Sequence, residues 1–174
     1  MLNRWDVSQI GAVSPTVVTG GSMIVFVSTP DILLGGEQQD GWIQTAWSRT
    51  FGQTEFTRVI PASHFVVSAT LSPDESMLAF AGSETNNWES AYCNLFVYQF
   101  ADQSIQKLTN YQDDDGFRLG VCDGVKNIAW TPDGGSILFD MFDDPDSSGS
   151  NATAHLEIVD SDGSSSPRIL MQED

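Results

Sequence analysis

The stretches "TLSPDESMLAF" (70–80) and "AWTPDGGSILF" (129–139) share an unusual feature: an apolar run breaks on a Pro-Asp pair and then resumes. Proline presets φ for the second position of a tight turn, aspartate bonds backbone amides, and glycine tolerates positive φ. Both stretches therefore predict hairpins between two apolar strands. Because the same break occurs twice, at Pro73 and at Pro132, the chain is predicted to contain a repeat.

A looser third copy precedes them in "AVSPTVVTGGSMIVF" (12–26), where we align Ser14-Pro15 with the later breaks. Each unit predicts four antiparallel strands, and polarity rises from the second strand to the fourth. The second strands, "SMIVFVS" (22–28), "SMLAFAG" (76–82) and "SILFDMF" (136–142), read as almost wholly apolar. A strand that is apolar on both faces is predicted to be buried on both faces.

These features predict an all-β fold, a β-propeller whose blades are sheets of four antiparallel strands. We expect one partial propeller domain over residues 1–174, with blades at about 1–60, 61–110 and 111–174. Helix content should be close to nil, because no segment has a sustained 3.6-residue apolar period. Three blades are predicted to form half of a six-bladed propeller.

The second unit, "LSPDESMLAFAGS" (71–83) followed by "NLFVYQFADQSIQKLT" (94–109), resembles the WD-like propeller repeat of TolB-type proteins. That family includes cell-envelope scaffold proteins, and propeller domains that gate serine peptidases of the prolyl oligopeptidase type. The sequence has no Gly-x-Ser-x-Gly motif. The resemblance therefore implies a binding or assembly role, and it leaves the partner open.

The charge of the chain is strongly acidic, with 24 Asp and Glu against 7 Lys and Arg and a formal net charge of -17. Such a charge repels phosphate backbones, so nucleic acid is not expected as a partner. No run of 18 apolar residues predicts a membrane span. The first residues lack the apolar core of a leader, which predicts a cytoplasmic protein as written, or a cell-envelope or secreted one if a leader was removed.

Cys93 and Cys122 are the only cysteines, and the sequence favours two unpaired thiols over a disulfide. His64 and His155 are the only histidines. Neither accompanies a nucleophile turn, so both are predicted to be structural or exposed and no enzyme activity is expected.

One loop offers a candidate metal site. "DPDSSGSNATAH" (144–155) places Asp144, Asp146 and Ser148 at the first, third and fifth positions of a calcium loop, but His155 stands at the twelfth position in place of Glu. The pattern predicts either a weak calcium site or a solvated polar loop. No other cofactor is predicted.

Four residues are candidates for partner binding. Trp88 lies in a polar loop, "SETNNWESAY" (83–92), where it either contacts a partner or packs within the loop. Met23, Phe26 and Phe139 lie on the apolar second strands of the two end blades, which an isolated arc would leave uncovered.

The predicted function is a non-catalytic protein-interaction or assembly module. Its partner is either a different protein or a second copy, which would close a six-bladed ring as a homodimer. Blades belonging to a longer native chain would close the ring equally well. The alternatives are a propeller fragment that gates a hydrolase supplied by another chain, and a propeller that binds calcium or a small ligand.

Overall fold

The computed structural model describes residues 13–17, 22–28, 45–85, 93–111, 124–143 and 153–172 of the 174-residue chain. These residues contain twelve β-strands and no helix, as the sequence predicts. In chain order the strands are β1 (Val13–Val17), β2 (Met23–Ser28), β3 (Thr45–Thr50), β4 (Thr57–Arg58), β5 (Phe65–Leu71), β6 (Met77–Ser83), β7 (Asn94–Gln99), β8 (Ile105–Lys107), β9 (Gly124–Trp130), β10 (Ser136–Asp143), β11 (Thr153–Asp160) and β12 (Arg168–Gln172).

The strands form three four-stranded antiparallel sheets, each built from four consecutive strands: β1–β4, β5–β8 and β9–β12. We call these sheets the first, second and third blades. In the part of the chain that the structure describes, no helix is long and apolar enough to cross a membrane.

The Pro-Asp breaks are the turns between the first two strands of the second and third blades. In the second blade Ser72 Oγ donates to Asp74 Oδ1 at 2.6 Å, and the amide of Met77 donates to Ser72 Oγ at 3.0 Å. Thr131 and Asp133 make the matching bond at 2.6 Å in the third blade. These hydroxyl bonds hold the pKa values of Asp74 and Asp133 below their ordinary range.

The alignment of the first copy on Ser14-Pro15 is wrong. Pro15 lies inside β1, where it pairs with Phe26 beside a register irregularity, whereas Pro73 and Pro132 lie in turns between strands. Proline has no backbone N–H, but an edge strand with an irregular ladder tolerates that loss. β1 is such a strand, because it pairs with β2 alone.

Two apolar clusters hold the three blades together. One joins the first and second blades and includes Val25, Val27 and Phe80; the other joins the second and third blades and includes Ala81 and Phe139. Successive residues of β6 therefore point into different clusters. The predicted burial on both faces is confirmed for the second blade.

The third strand of the second blade is tied to the segment after β8 by a side-chain network. Asn94 Oδ1 accepts hydrogen bonds from Thr109 Oγ1 at 2.9 Å and from the amide of Tyr111 at 2.7 Å. Thr109 Oγ1 in turn accepts from the amide of Leu95 at 2.9 Å. The Asn at the start of β7 and the Thr that follows "KL" therefore form one clasp that closes the blade.

The prediction of unpaired thiols is wrong, because Cys93 is disulfide-bonded and fully buried. Its carbonyl accepts a hydrogen bond from the amide of Val125 at 3.0 Å, and it bridges to Gly124. This contact brings Cys93 beside a segment that lies only two residues in sequence from Cys122, the one other cysteine. Sequence spacing alone does not reveal that proximity.

Candidate protein-binding faces

Each blade has two faces, which we name by the blade they look toward. The leading face looks toward the preceding blade, and the trailing face looks toward the following blade. The leading face of the second blade carries large side chains, among them Leu78, Phe80, Phe96 and Tyr98, which pack against the first blade. Phe80 and Phe96 stack at 5.0 Å between ring centroids.

The two trailing faces that are covered within the chain carry smaller residues. The first blade presents Val25, Val27 and Ala46, and the second blade presents Ala79, Ala81, Leu95 and Val97. All seven are fully buried. A large leading face therefore packs onto a smaller trailing face at both internal junctions.

The leading face of the first blade is the side of that sheet that looks away from the second blade. Phe26 pairs with Trp47, which pairs with Arg58, while Ile24 pairs with Arg49. Directly opposed residues share a face. Because Val25 and Val27 point toward the second blade, Ile24, Trp47, Arg49 and Arg58 point away from it.

Two cation–π contacts order the leading face of the first blade. The guanidinium of Arg58 lies 5.1 Å from the centroid of the Trp47 ring, and that of Arg49 lies 5.4 Å from the Phe56 ring. Arg49 Nε also donates to the carbonyl of Gln53. Trp47 is 4% exposed, and its Nε1 has no hydrogen-bond acceptor among the described residues.

The trailing face of the third blade is the opposite end of the arc. Pairing places Leu138 opposite Ile158 and Asp140 opposite Leu156, on the side away from the second blade. Met171 pairs with Leu156 and is 67% exposed. This face is therefore an apolar sheet surface that the described residues leave partly open.

A groove of about 390 Å³ lies against this trailing face, and Asp140, His155, Leu156 and Met171 are among its lining residues. Asn127 Nδ2 donates to Asp140 Oδ2 at 2.8 Å. The groove therefore combines apolar walls with a carboxylate.

Three of the residues predicted to bind a partner lie in the described part of the chain, and each has a different environment. Met23 is half-buried and packs against the junction of the first and second blades. Phe139 is 1% exposed within the junction of the second and third blades, so its ring is already covered inside this chain. Phe26 lies on β2 and its backbone alone is described.

The remaining predicted residues lie outside the described part of the chain. These are Trp88 and the calcium candidates Asp144, Asp146 and Ser148. Within the described residues, no group of three or more His, Cys, Asp or Glu side chains is placed to hold a metal ion.

Both histidines pack against neighbouring side chains. The ring of His64 meets Phe80 and Phe96 edge-on, at 6.1 and 5.8 Å between centroids. Burial lowers its pKa, and the charge of Glu84 opposes that shift. His155 Nδ1 lies 3.8 Å from Glu157 Oε1.

Four charged residues on these faces were not identified as candidates from the sequence. Arg49 and Arg58 on one end, and Asp140 and Asp160 on the other, become visible only when the strand register assigns them to a face. One sequence feature could have indicated the trailing face of the third blade: Asp140 is a lone acid within the apolar run "SILFDMF".

Comparison with solved structures reveals the fold these faces belong to. A protein assigned as TolB from Agrobacterium tumefaciens superposes with a TM-score of 0.64 at 13% identity, over 94% of this chain and 51% of that one. TolB from Acinetobacter baumannii gives 0.59 at 17% identity, over 94% and 33%. The β-propeller domain of the trilobed protease from Pyrococcus furiosus gives 0.57 at 12%, over 93% and 41%.

The chain has a TolB-like β-propeller fold. It spans about half of the Agrobacterium structure and a third of the Acinetobacter one. No family model and no curated protein matches the sequence. The three blades therefore follow the arc of consecutive blades in a propeller.

Proposed function

We propose that this chain is a non-catalytic protein-interaction module that binds its partner through the trailing face of the third blade. The observation that carries the proposal is the trailing face of the third blade. Leu138 and Leu156 there are only half-buried, whereas the equivalent residues of the second blade, Ala79 and Leu95, are fully buried. The face is built as a junction and lacks a neighbour within the described chain.

The energetic argument rests on the apolar surface that a partner would bury on this face. Completing the burial of a Leu or Ile side chain contributes up to about 1.5–3 kcal/mol, and contiguous apolar patches of a few hundred Å² mark interaction sites. Leu138, Leu156, Ile158 and Met171 lie on adjacent strands of the same face. Together they supply the apolar centre that a specific protein interface needs.

The histidines support the non-catalytic part of the proposal. His64 is occupied by ring contacts with Phe80 and Phe96, and His155 lies beside the buried carboxylate of Glu157. These are packing arrangements, and the hydroxyl that contacts His64 Nδ1, at 3.1 Å, belongs to the adjacent residue Ser63, which is exposed. Turnover of peptidase or esterase substrates by the purified chain, if abolished by His64→Gln or His155→Gln, would contradict the proposal.

The binding role is tested by comparing Ile158→Ser with Ile169→Ser. Ile158 lies on the trailing face, whereas Ile169 pairs with Glu157 on the opposite side of the same sheet and is 54% exposed. We expect the intact chain to bind an apolar fluorescent dye or to associate in light scattering. Ile158→Ser should weaken whichever signal occurs, and Ile169→Ser should leave it nearly unchanged. A chain that is monomeric and does not bind the dye would overturn the proposal.

A second candidate function is the gating of a hydrolase supplied by another chain. It is favoured by the likeness to the propeller domain of the Pyrococcus furiosus protease. A complex with a hydrolase chain, in which this protein lowers cleavage of large substrates and leaves that of small ones unchanged, would support it. Equal cleavage of both with and without this chain would exclude it.

A further inference from the structure

We propose that the outer edge of β12 binds an extended segment of a partner protein, which adds a strand to the third blade. The segment that fits this edge has apolar residues at alternate positions and is flanked by Lys or Arg. The observation that carries the proposal is the exposure of β12. Four large apolar side chains are exposed in the described part of the chain. Three of them, Ile169, Leu170 and Met171, are consecutive on β12.

The outer strands of the first and second blades are protected edges. β4 has two residues and β8 has three, and each ends in a cation, Arg58 or Lys107. Both cations lie over an aromatic ring of the neighbouring strand. Arg58 is 5.1 Å from the centroid of the Trp47 ring, and Lys107 is 5.9 Å from that of the Phe96 ring. Short length and a charged side chain are common means by which proteins prevent another strand from adding to a sheet edge.

The outer strand of the third blade lacks both of these protections. β12 has five residues, and among the described strands it pairs with β11 alone. In the second blade Lys107 pairs with Phe96. Ile169 pairs with Glu157, which holds the place of Phe96 in the third blade. The third blade therefore has an exposed apolar residue where the other two blades have a cation over a ring.

The exposure of Ile169 does not result from an open blade face. Its side chain shares the leading face of the third blade with Glu157 and Phe139, and the second blade covers that face. Glu157 is 6% exposed and Phe139 is 1% exposed, whereas Ile169 is 54% exposed. The second blade therefore covers the two middle strands of this face and leaves the outer strand uncovered.

The backbone of β12 has the groups that an added strand needs. In the second blade the amide of Leu108 donates inward to the carbonyl of Leu95 at 2.8 Å. Backbone groups of neighbouring residues in an antiparallel strand point to opposite edges, so those of Lys107 face outward. Ile169 is the equivalent of Lys107, and its N–H and C=O therefore face outward as well. An extended peptide pairs with such an edge through its main chain, and its alternate side chains give specificity.

Charge indicates which occupant the edge takes. A second copy would bring another formal charge of -17 to the same edge, and like charges repel. β12 carries one charge, Arg168, whereas the end of β11 and the turn that follows it carry Asp160 and Asp162. Hydrogen bonds from the hydroxyl and the amide of Ser164 hold the pKa of Asp162 below its ordinary range. A segment with Lys or Arg beside its apolar residues is therefore attracted to an edge that repels a second copy.

The experiment measures binding of a fluorescent peptide, Lys-Thr-Val-Thr-Ile-Thr-Val-Lys, to the intact chain by anisotropy. Its Thr, Val and Ile residues favour an extended conformation, and its two lysines supply positive charge. A control peptide has Pro in place of the Ile, because proline has no backbone N–H and is excluded from a central strand. We expect the control peptide to bind at least about tenfold more weakly than the first peptide.

Two substitutions at one position test the edge itself. Ile169→Lys gives β12 the side chain that β8 has there, and Ile169→Pro removes the outward N–H without adding charge. We expect each substitution to raise the dissociation constant of the peptide at least about tenfold. Phe51→Lys is the matched control, because Phe51 is 55% exposed and the substitution adds the same charge in the turn after β3. Its affinity for the peptide should stay within about twofold of the native value.

Circular dichroism and melting show whether each variant keeps the fold, and Ile169→Lys alone decides if Ile169→Pro melts early. Peptide binding is measured separately from dye binding on the trailing face, so this proposal and the proposed function can fail independently. No peptide binding at about 500 μM chain, far above micromolar affinities, would overturn the proposal, and so would equal affinities for both peptides or for Ile169→Lys and the native chain. A dimer that Ile169→Lys dissociates, in a chain that does not bind the peptide, would overturn the partner segment in favour of a second copy.

Discussion

The second and third blades share one strand plan but fill their trailing faces differently. At the same register position the second blade has Ala81, fully buried against the third blade, and the third blade has Asp140, which is half-buried. The partners opposite them, Leu95 and Leu156, are both leucine. Among the described residues, a following blade covers the trailing face of the second blade and leaves that of the third blade partly open, and the residue type at this position differs accordingly.

The largest effect should follow from exchanging these two residues. Ala81→Asp would place a carboxylate in a fully buried apolar junction, and an uncompensated buried charge costs about 3–5 kcal/mol. Asp140→Ala removes a charge from a face that the described residues leave partly open, so the isolated chain should change by about 0.5 kcal/mol or less. Urea unfolding followed by tryptophan fluorescence measures both.

The contrast between the two variants is what matters in that experiment. If both lost equal stability, the trailing faces of the second and third blades would be equally covered. The distinction between internal junction and end face would then be wrong.

A second difference lies on the leading faces. Phe96 of the second blade pairs with Phe80, whereas the equivalent residue of the third blade is Glu157, which pairs with Phe139. Glu157 is 6% exposed and accepts a hydrogen bond from Tyr111 Oη at 2.7 Å. A buried acid is therefore tolerated at an aromatic position because Tyr111, which follows the last strand of the second blade, donates a hydrogen bond to it.

Removing that hydroxyl should cost about 1.5–3 kcal/mol, since the hydrogen bond reaches a buried carboxyl group. Tyr111→Phe makes the change, and Tyr98→Phe is the control, because the described contact of Tyr98 is a ring contact with Phe100 at 5.2 Å. Combining Tyr111→Phe with Glu157→Gln should cost less than the two single losses added together. Strict additivity would show that the two groups do not act as a pair.

These comparisons show which features could be read from the sequence. Strand order, the turns at Pro73 and Pro132 and the two-sided burial of the second blade all follow from local rules about proline, aspartate and apolar patterning. Pro15 was misassigned because a proline suits an edge strand as well as a turn, and only pairing distinguishes the two cases.

Assigning residues to the end faces required the pairing register of the strands, which the sequence does not determine. A one-residue shift moves every side chain to the other face of a sheet, so the charges of Arg49 and Asp140 could not be assigned to a face before pairing was known. The disulfide of Cys93 likewise depends on the approach of β7 to β9. The candidate site therefore depends on how the strands pair in the folded chain, whereas the fold follows largely from local sequence patterns.

The turns of the second and third blades provide a smaller comparison. Glu75 and Gly134 occupy the same turn position with φ of 60° and 72°, a conformation that favours glycine. At this position Glu75 makes a contact that Gly134, which has no side chain, cannot make. Its carboxylate accepts from the amide of Ser22 at 3.0 Å and from Ser22 Oγ at 2.8 Å, which joins the turn of the second blade to the first blade.

Glu75→Ala keeps the unfavourable backbone conformation and removes this contact. The expected loss is about 1 kcal/mol, below the range of about 1.5–3 kcal/mol for hydrogen bonds to charged groups, because Ser22 is exposed and Glu75 is only half-buried. The paired variant Glu75→Ala/Ser22→Ala should lose little more than Glu75→Ala alone. A melting temperature that Glu75→Ala leaves unchanged would show that the contact does not stabilise the first junction.

The smallest effect concerns pH and the aromatic stack of the second blade, which the third blade lacks. His64 packs edge-on against Phe80 and Phe96, and burial lowers its pKa from the ordinary 6.5. The unfolded chain therefore takes up the proton first, so the stabilisation is complete above pH 6.5 and is lost as the pH falls through the folded pKa. Between about pH 7.5 and 5.5 the native chain should lose more stability than His64→Gln; His155 is present in both and cancels. Urea midpoints that shift in parallel with pH for the two proteins would show that His64 is solvated as freely in the folded blade as in the unfolded chain.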